Sequence, residues 1–369
     1  MKNRQHDLFL ICPPGLEACC VAELGSLGVQ GEPRQGGVAF QGGLRELYLV
    51  NLWSRCGSRV LVRLGEFRAK DFPGLYRKAL QLPWGSYVRP GWPVKLRVTS
   101  HRSRLMHSDR IAETVETALR QALGPQESVP GDGEQVVLVR LEEDACTVSI
   151  DSSGELLHRR GYRQIMTPAP LRENLAAGML SLLGWHGDEA FCDPCCGSGT
   201  LPIEAALLRS NLAPGMRREF RFMRWPGFRH GLWQQLLSEA ARKTVDPGFG
   251  IILAADKDES ALEAARANAR AAGVEELVSF RQEDVAVLEV NPAGGLMAAN
   301  PPYGLRLDLP LRQLSPLQVV AQRLQADWNR WRCGLLTPER PPGGGWRSAA
   351  LLHNGGITVN LWAWRAGGE

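Results

Sequence analysis

The sequence predicts an α/β protein in which a doubly wound, mostly parallel sheet occupies the C-terminal half and a smaller α+β region precedes it. Three observations favour this fold class. After residue 160, short apolar strands alternate with helical segments, as they do when helices cover both faces of a parallel sheet. Before residue 155, strands and helices form two shorter groups, each typical of a small α+β unit. The composition, 44% hydrophobic and 22% charged over 369 residues, is that of a soluble globular protein with two or three domains.

The first small unit is expected over residues 1–68, with the element order strand, helix, strand, helix, strand. Residues 8–12 form an apolar extended run, and a helix over 16–27 is ended by Gly28. Residues 60–64 alternate between apolar and other side chains, which is typical of a half-buried strand.

The second small unit is expected over residues 69–155. Its predicted elements are a helix over 75–82, a strand over 94–98, a helix over 110–123, and strands over 136–141 and 146–150. A tight acidic turn, residues 142–144, joins the last two strands. This short connection indicates an antiparallel pair, because parallel strands need a much longer crossover.

The C-terminal half begins with apolar residues at helical spacing and continues with short apolar strands. The strands are expected over 190–192, 251–255, 277–280, 296–299 and 334–336. The final segment differs, because 349–352 and 357–362 flank Asn354-Gly355-Gly356, a hairpin signal. We therefore expect a parallel sheet that an antiparallel pair closes at its C-terminal edge.

The net charge of +4 is unevenly distributed along the chain. Residues 89–110 and 209–230 carry +5 each and residues 159–172 carry +4, which leaves a net charge of −10 on the rest. One such patch is usually a solvated face. Three basic patches on an acidic body favour a polyanionic partner, nucleic acid in particular.

The nine cysteines are scattered and do not resemble a disulfide framework, so we expect reduced thiols and a cytoplasmic protein. Cys192 and Cys195 form one C-x-x-C pair, but no second pair lies at metal-ligand spacing, and no metal is expected. The apolar run near the N-terminus is too short for a signal peptide or a membrane span, and no membrane partner is expected.

A glycine-rich segment, Asp193-Pro-Cys-Cys-Gly-Ser-Gly-Thr200, follows a predicted strand and precedes a helix that begins near Leu201. In open α/β sheets, ligands bind beyond the carboxyl ends of the strands, and glycines there let the backbone approach a ligand. A nucleotide phosphate loop requires a lysine after its last glycine, and a dinucleotide fold requires a third glycine. Both are absent, which leaves a different ligand or a plain strand-to-helix turn.

Polar residues also follow two later strands, those over 251–255 and 296–299. Asp256 ends a strand and is placed to accept hydrogen bonds from ribose hydroxyls. Asn300-Pro-Pro-Tyr303 follows the strand over 296–299. An exocyclic amine on a nucleobase is a poor nucleophile, and the side-chain oxygen of Asn300 with the carbonyl of Pro301 could bind its protons and localise its lone pair. Pro302 stiffens this turn, and Tyr303 could stack on a base that has left its helix.

The segment over 191–206 resembles the S-adenosylmethionine-binding motif of class I methyltransferases, in its D-P-x-C-G-S-G-T form. The resemblance implies that S-adenosyl-L-methionine is the cofactor and that Asp193 orients its amino group. It also places the loop backbone under the cofactor and Asp284 near the adenine amine. The cofactor-binding residues implied in this way are Asn174, Asp193, Pro194, Gly197, Ser198, Gly199, Thr200, Asp256, Asp284 and Asn300. The motif N-P-P-Y resembles that of amino-group methyltransferases acting on adenine N6, guanine N2 or glutamine.

The substrate class rests on a second resemblance. Residues 158–163, 169–177 and 213–233 are similar to the large-subunit ribosomal RNA guanine-N2 methyltransferases that carry an N-terminal THUMP domain, and residues 98–109 resemble the RNA-binding THUMP segment. The resemblance implies a ferredoxin-like domain over 1–68, a THUMP RNA-binding domain over 69–155 and a class I, Rossmann-like, seven-stranded methyltransferase domain over 160–369. The implied RNA contacts are Arg102, Arg104, Arg159, Arg160, Arg163, Arg172, Arg217 and Arg218.

The expected activity is therefore transfer of a methyl group from S-adenosyl-L-methionine to the exocyclic N2 of a guanine in 23S ribosomal RNA. Asn300, Pro301, Pro302 and Tyr303 are the expected catalytic residues. Two alternatives stay open: a tRNA guanine-N2 methyltransferase with the same domain plan, and an RNA-binding or remodelling protein whose methyltransferase fold is idle. Cys195, where methionine is usual, and the dissimilar residues 311–345 depart from the family pattern.

Overall fold

Two seven-stranded sheets organise the chain in the computed structural model, which describes residues 5–124, 133–165, 171–248, 251–291, 293–302 and 314–365. The first sheet contains the N-terminal strands and is almost entirely antiparallel. The second contains the C-terminal strands and is mostly parallel. The two fold classes predicted for the two parts of the chain are therefore both confirmed.

The first sheet has the strand order β2-β3-β1-β4-β7-β6-β5, in which only β5 and β6 pair in parallel. Its strands are β1 (His6–Ile11), β2 (Gly31–Arg34), β3 (Gly37–Gly42), β4 (Arg59–Arg68), β5 (Val94–His101), β6 (Gln135–Glu142) and β7 (Ala145–Asp151). The accompanying helices are α1 (Glu17–Ser26), α2 (Leu44–Trp53), α3 (Phe72–Leu80) and α4 (Ser108–Leu123).

The long strand β4 joins the two N-terminal units into one sheet. Its first half pairs with β1, and nearly its whole length pairs with β7. The predicted boundary at residue 68 coincides with the end of this shared strand. The element order predicted for residues 1–68 was wrong by one strand, because a hairpin at Gly36, with φ of +77°, divides the segment after α1 into β2 and β3.

The second sheet has the strand order β10-β9-β8-β11-β12-β14-β13. Its strands are β8 (Phe191–Asp193), β9 (Ile252–Asp256), β10 (Val278–Gln282), β11 (Gly295–Ala299), β12 (Trp331–Thr337), β13 (Trp346–Asn354) and β14 (Ile357–Trp364). The helices are α5 (Glu173–Leu182), α6 (Thr200–Arg209), α7 (His230–Lys243), α8 (Glu259–Ala272) and α9 (Pro316–Ala326). Strands β8 to β12 are parallel, and β14 runs antiparallel to both of its neighbours.

The order in which strands are added to the second sheet reverses at β8, although β8 and β11 are parallel. From β8 the chain builds outward to β9 and β10 on one side, and then returns to place β11 and β12 on the other. In doubly wound sheets this switch point opens a crevice at the carboxyl ends of the strands, because the helices on either side diverge. The ends of β8 and β11 therefore mark where a ligand would bind.

Aromatic packing fixes the N-terminal sheet against the catalytic half. The ring of Tyr48 on α2 stacks on Phe222 with centroids 4.3 Å apart, and Phe222 in turn stacks on Phe220 at 5.3 Å. Trp233 packs edge-on against Tyr48. The aromatic side chains of the stretch over 209–233 are thus packed inside the protein, whereas Arg217, Arg224 and Arg229 of the same stretch are exposed.

A buried ion pair secures the last strand of the N-terminal sheet. The guanidinium of Arg59 pairs with the carboxylate of Asp151, which is fully buried, and also donates to the carbonyl of Gly154 at 2.7 Å. The same carboxylate accepts hydrogen bonds from the backbone N–H groups of Ser153 and Gly154. Removal of one partner would leave the other charge buried and uncompensated.

We therefore expect Asp151→Ala to lower the free energy of unfolding by about 3–5 kcal/mol. Urea denaturation followed by tryptophan fluorescence measures this change. Glu32→Ala is the matched control, since the Arg34–Glu32 pair has both side chains more than half exposed and should contribute less than about 1 kcal/mol. Equal losses in the two variants would contradict a special role for the buried pair.

Candidate active site

Three polar side chains lie together at the carboxyl ends of adjacent strands. Asp193 ends β8, Asp256 ends β9, and Asn300 follows β11 directly. Since β8 pairs in parallel with both β9 and β11, the three residues share one edge of the sheet. This is the switch point of the strand order, so the sequence-predicted residues converge where a ligand crevice is expected.

Asp193 is buried, with 2% of its surface exposed. Its Oδ1 accepts a hydrogen bond from the N–H of Cys195 at 3.1 Å. Burial raises the pKa of this carboxyl well above its usual value, and the nearby charge of Asp256 raises it further. Within the described ranges no lysine or arginine forms an ion pair with it, so a cationic ligand group would supply the counter-charge that this carboxyl lacks there.

The loop after β8 is bent by two glycines and held by hydrogen bonds. Gly197 and Gly199 have φ of +52° and +84°, a region that disfavours other residues. A Cβ at Gly199 would lie 2.9 Å from the Cβ of Ala265 on α8, so a side chain there would displace the loop. The N–H of Gly197 donates to Asp256 Oδ2 at 2.9 Å. Pro194, Ser198 and Thr200 complete this loop and are all buried.

Asp256 and Asp284 present oxygens at neighbouring strand ends. Asp256 Oδ1 accepts from the N–H of Asp258 at 3.1 Å, in addition to its bond to the loop. Asp284, two residues after β10, is exposed and accepts from the N–H of Ala286 at 2.9 Å. Beside it, Glu283 has a buried Oε2 for which the described residues supply no donor.

The side-chain oxygen of Asn300 is buried and accepts no hydrogen bond from any residue that the structure describes. A buried acceptor without a donor costs about 1–3 kcal/mol, so a ligand that donates a hydrogen bond to this oxygen would remove a cost. Pro301 next to it is buried and Pro302 is exposed. Tyr303, the fourth predicted catalytic residue, lies outside the described residues.

Together these features define the ligand that the site can hold. The unpaired carboxyl of Asp193 suits an ammonium group, the oxygens of Asp256 suit hydroxyl donors, and the open glycine loop lets a ligand contact the backbone. The acceptor oxygen of Asn300 suits an N–H donor. A ligand with an amino acid part and a nucleoside part satisfies the first three requirements, which leaves the Asn300 oxygen for the N–H donor of a second molecule.

Asn174, predicted near the cofactor, lies in the first turn of α5 and faces the N-terminal sheet with its amide nitrogen. Its Nδ2 donates to Ser58 Oγ at 3.1 Å and to the carbonyl of Cys56 at 3.5 Å. Its Oδ1 is buried and has no donor among the described residues. The amide therefore contacts the N-terminal unit through its nitrogen, and its contact with a cofactor stays a prediction.

The eight arginines predicted to contact RNA fall into two groups. Those with exposed side chains are Arg102, Arg104, Arg159, Arg172 and Arg217. The remaining three form hydrogen bonds or ion pairs within the protein. Arg160 is buried and pairs with Glu204 at 3.4 Å, so the prediction that it contacts RNA was wrong. Arg163 pairs with Glu173 at 3.0 Å. Arg218 donates to four backbone carbonyls between residues 155 and 159.

Sequence reasoning missed the buried polar residues beneath the site. Glu204 on α6 is 1% exposed and also accepts from the hydroxyl of Tyr162 at 3.1 Å. Asn268 on α8 is 1% exposed and contacts the glycine loop. A usable signal existed, since Glu204 lies within an apolar run and Asn268 lies at helical spacing from apolar positions of α8 (Ala261, Ala264, Ala265 and Ala272), where burial with a specific partner is expected.

The described ranges contain neither a candidate membrane span nor a candidate metal-binding cluster. None of the helices there is both long and apolar enough to cross a membrane. No cluster of three or more histidine, cysteine or acidic side chains capable of binding a metal ion is found in those ranges.

Three family models match the chain in succession. They are an RlmL ferredoxin-like domain over residues 7–61, a THUMP domain over 69–151 and an RMKL-like methyltransferase domain over 160–339.

Whole-chain similarity extends to curated proteins and solved structures. The ribosomal RNA large subunit methyltransferase K/L of Syntrophotalea carbinolica is 35% identical over 96% of this chain and 52% of its own. The chain spans about half the length of the curated relatives it matches. A solved "putative methyltransferase complexed with SAH" is 30% identical, with a TM-score of 0.85 over 100% of both chains. A "predicted N6-adenine-specific DNA methylase" from Listeria monocytogenes is 30% identical, with a TM-score of 0.89 over 98% of this chain and 97% of that one.

The buried carboxyl of Asp193 should destabilise the ligand-free protein at neutral pH. Its folded-state pKa is raised, so the neutral form stabilises the fold fully below the unfolded-state pKa, and this contribution is lost as pH rises toward the folded-state value. We expect Asp193→Asn to be more stable than the parent protein by about 1 kcal/mol or more at about pH 8, and nearly equal at about pH 4.

Urea denaturation at both pH values tests this difference. Asp188→Asn, at an exposed position, is the control and should show no such pH-dependent gain. If Asp193→Asn were less stable than the parent protein at the higher pH, the carboxylate would have a stabilising partner and the account of its burial would be wrong.

Proposed function

Because the chain belongs to the family of RMKL-like methyltransferases with an N-terminal THUMP domain, we propose that it methylates the exocyclic N2 of a guanine in 23S ribosomal RNA. The cofactor is S-adenosyl-L-methionine, in keeping with the solved relative that contains SAH. The observation that carries the proposal is the buried oxygen of Asn300, which has no donor in the described part of the chain and lies at the switch point of the sheet.

The residues at the strand ends fit this cofactor. Asp193 would pair with its ammonium group, and Asp256 would accept from its ribose hydroxyls. The backbone of Gly197 to Gly199 would pass beneath it, where a side chain would collide with α8. Asp284 would lie near the adenine amine. When bound, S-adenosyl-L-methionine supplies an electrophilic methyl group on a positively charged sulfur.

The acceptors after β11 would prepare the nucleophile. The amine lone pair of guanine N2 is delocalised into the ring, which makes it unreactive. Asn300 Oδ1 and the carbonyl of Pro301 would each accept a hydrogen bond from one of the two N–H groups of the guanine amine. These bonds would hold the nitrogen in a geometry where its lone pair points at the methyl group. The amine becomes acidic only as the new bond forms, so its proton can leave to water without a strong base in the site.

The substrate assignment has separate support. A THUMP domain, exposed arginines on the N-terminal sheet and the name of the 35% identical relative all favour ribosomal RNA. Arg102 and Arg104 are exposed in the loop after β5, where they could neutralise RNA phosphates. The name of the Listeria relative points instead to an adenine N6 acceptor, whose exocyclic amine could be bound by the same two oxygens.

We expect Asn300→Ala to bind S-adenosyl-L-methionine with unchanged affinity but to lose about 10²–10³-fold in kcat, since it removes an interaction made to the reacting amine. Calorimetry measures the binding, and single-turnover transfer of a labelled methyl group to ribosomal RNA measures the chemistry. Asn329→Ala, at an exposed position after α9, is the control and should keep full activity. Wild-type turnover by Asn300→Ala would refute this mechanism.

Mass mapping of modified nucleosides identifies the acceptor. Purified protein and cofactor are incubated in three separate reactions with ribosomal RNA, tRNA or DNA, each from a strain that lacks the gene. We expect N2-methylguanosine in 23S ribosomal RNA. Methylguanosine in tRNA alone, or N6-methyladenine in DNA, would overturn the substrate assignment, and cofactor binding without transfer to any of these acceptors would favour an idle fold.

A further inference from the structure

The segment Gly161–Ile165, called the linker below, is part of the connection between β7 and α5, and its polar atoms bond to residues at the base of the cofactor loop. Tyr162 donates to Glu204 on α6. Arg163 Nη2 donates to Thr200 Oγ1 at 3.1 Å, at the first residue of the same helix. The most extensive connection runs through Asn268 on α8.

The oxygen and the nitrogen of the Asn268 side-chain amide each form two hydrogen bonds, three to the linker and one to the loop. Oδ1 accepts from the backbone N–H of Gln164 at 2.8 Å and of Ile165 at 3.1 Å. Nδ2 donates to the carbonyl of Ile165 at 3.0 Å and to the carbonyl of Ser198 at 3.0 Å. Ser198 lies between the two glycines that shape the cofactor loop. A single buried side chain therefore bridges the linker and the loop.

On the strand side, three hydrogen bonds hold the loop. Asp193 Oδ1 accepts from the N–H of Cys195, Asp256 Oδ2 accepts from the N–H of Gly197, and the N–H of Cys196 donates to the carbonyl of Ala255 at 2.9 Å. On the helix side, Asn268 donates to the carbonyl of Ser198, one turn from Ala265, against which Gly199 packs. Since glycine-rich backbone has many accessible conformations, this helix-side bond helps to fix where the Ser198 carbonyl and the adjacent N–H groups point.

The linker is also tied to the N-terminal sheet. Arg160, which precedes it, donates to the carbonyl of Arg55 at 2.5 Å, and the N–H of Leu157 donates to the carbonyl of Ser58 at 2.8 Å. A continuous set of hydrogen bonds therefore runs from the RNA-binding half, through the linker, to the cofactor loop.

We propose that Asn268 is a positioning residue for the cofactor loop, and that it makes cofactor affinity depend on the docked linker. The proposal rests on the proposed function for the identity of the cofactor. Loss of the donor half of this amide releases the Ser198 carbonyl, and loss of a linker N–H loosens the same bridge from the opposite side. Both changes weaken cofactor binding, although neither replaces a residue that would itself contact the cofactor or RNA.

The first test changes only the amide nitrogen. Asn268→Asp keeps Oδ1 for the linker but places an oxygen against the carbonyls of Ile165 and Ser198. We expect the Kd for S-adenosyl-L-methionine, measured by calorimetry, to rise about tenfold, as lost hydrogen bonds to a binding loop imply. In methyl-transfer assays the KM for the cofactor should rise in parallel, while kcat and the KM for RNA stay within about twofold.

A matched control separates positioning from general destabilisation. Asn51 is also 1% exposed and bonds through both ends of its amide, to the carbonyl of Leu47 and to Ser152 and Ser153, within the N-terminal sheet. Asn51→Asp makes the same chemical change at equal burial. It should lower the melting temperature comparably but leave the cofactor Kd unchanged. An equal rise in Kd for both variants would overturn the proposal.

A second pair of variants avoids the core in case Asn268→Asp does not fold. Gln164 is exposed, and Gln164→Pro removes the backbone N–H that donates to Asn268, whereas Gln164→Ala retains it. We expect about a threefold higher cofactor Kd for the proline variant and no change for the alanine variant. If neither Asn268→Asp nor Gln164→Pro raises the Kd, the proposal fails. Continued methyl transfer to ribosomal RNA by those variants would leave the proposed function intact.

Discussion

Burying a carboxyl group without a counter-charge is costly, and the architecture of the catalytic half accepts that cost at Asp193. The residue ends β8, an interior strand of the second sheet, so it is covered by strands on both sides and by the loop that follows. The neighbouring carboxylate of Asp256 adds to the cost and does not relieve it. A bound ammonium group would offset both the burial of Asp193 and the repulsion from Asp256. A cationic cofactor therefore explains why the site contains a buried carboxyl with no ion pair among the described residues.

The site depends on the strand order as much as on its residues. Asp193 and Asn300 are more than a hundred positions apart in the chain. Their strands β8 and β11 are nevertheless direct, parallel neighbours, because the order in which strands are added to the sheet reverses at β8. One residue supplies a buried carboxyl that forms no ion pair with the described residues, and the other supplies a buried acceptor for which those residues provide no donor. The first suits the cofactor and the second suits the amine that receives the methyl group, so the switch point brings donor and acceptor of the reaction together.

Much of this arrangement could be predicted from sequence, because local signals agreed with the fold. The parallel strands are short apolar runs, and α8 ends at Gly273, whose φ of +75° is the left-handed conformation that glycine adopts readily at the end of a helix. The edge strand β2 was missed because Gly31-Glu32-Pro33-Arg34 has no apolar alternation and forms a strand only by pairing with β3. The burial of Arg160 was missed because charge counting treats every arginine as exposed, whereas its partner Glu204 is remote in sequence.

The most direct measurement of the central claim is proton release on cofactor binding. Calorimetric titrations with S-adenosyl-L-methionine between about pH 5 and 7, in buffers of different ionisation enthalpy, report how many protons leave the protein. The cofactor amine is charged throughout this range, so its pairing with Asp193 should expel the proton that the raised pKa retains. The account predicts proton release that diminishes as pH rises and disappears in Asp193→Asn. Binding heats independent of buffer at every pH would contradict it.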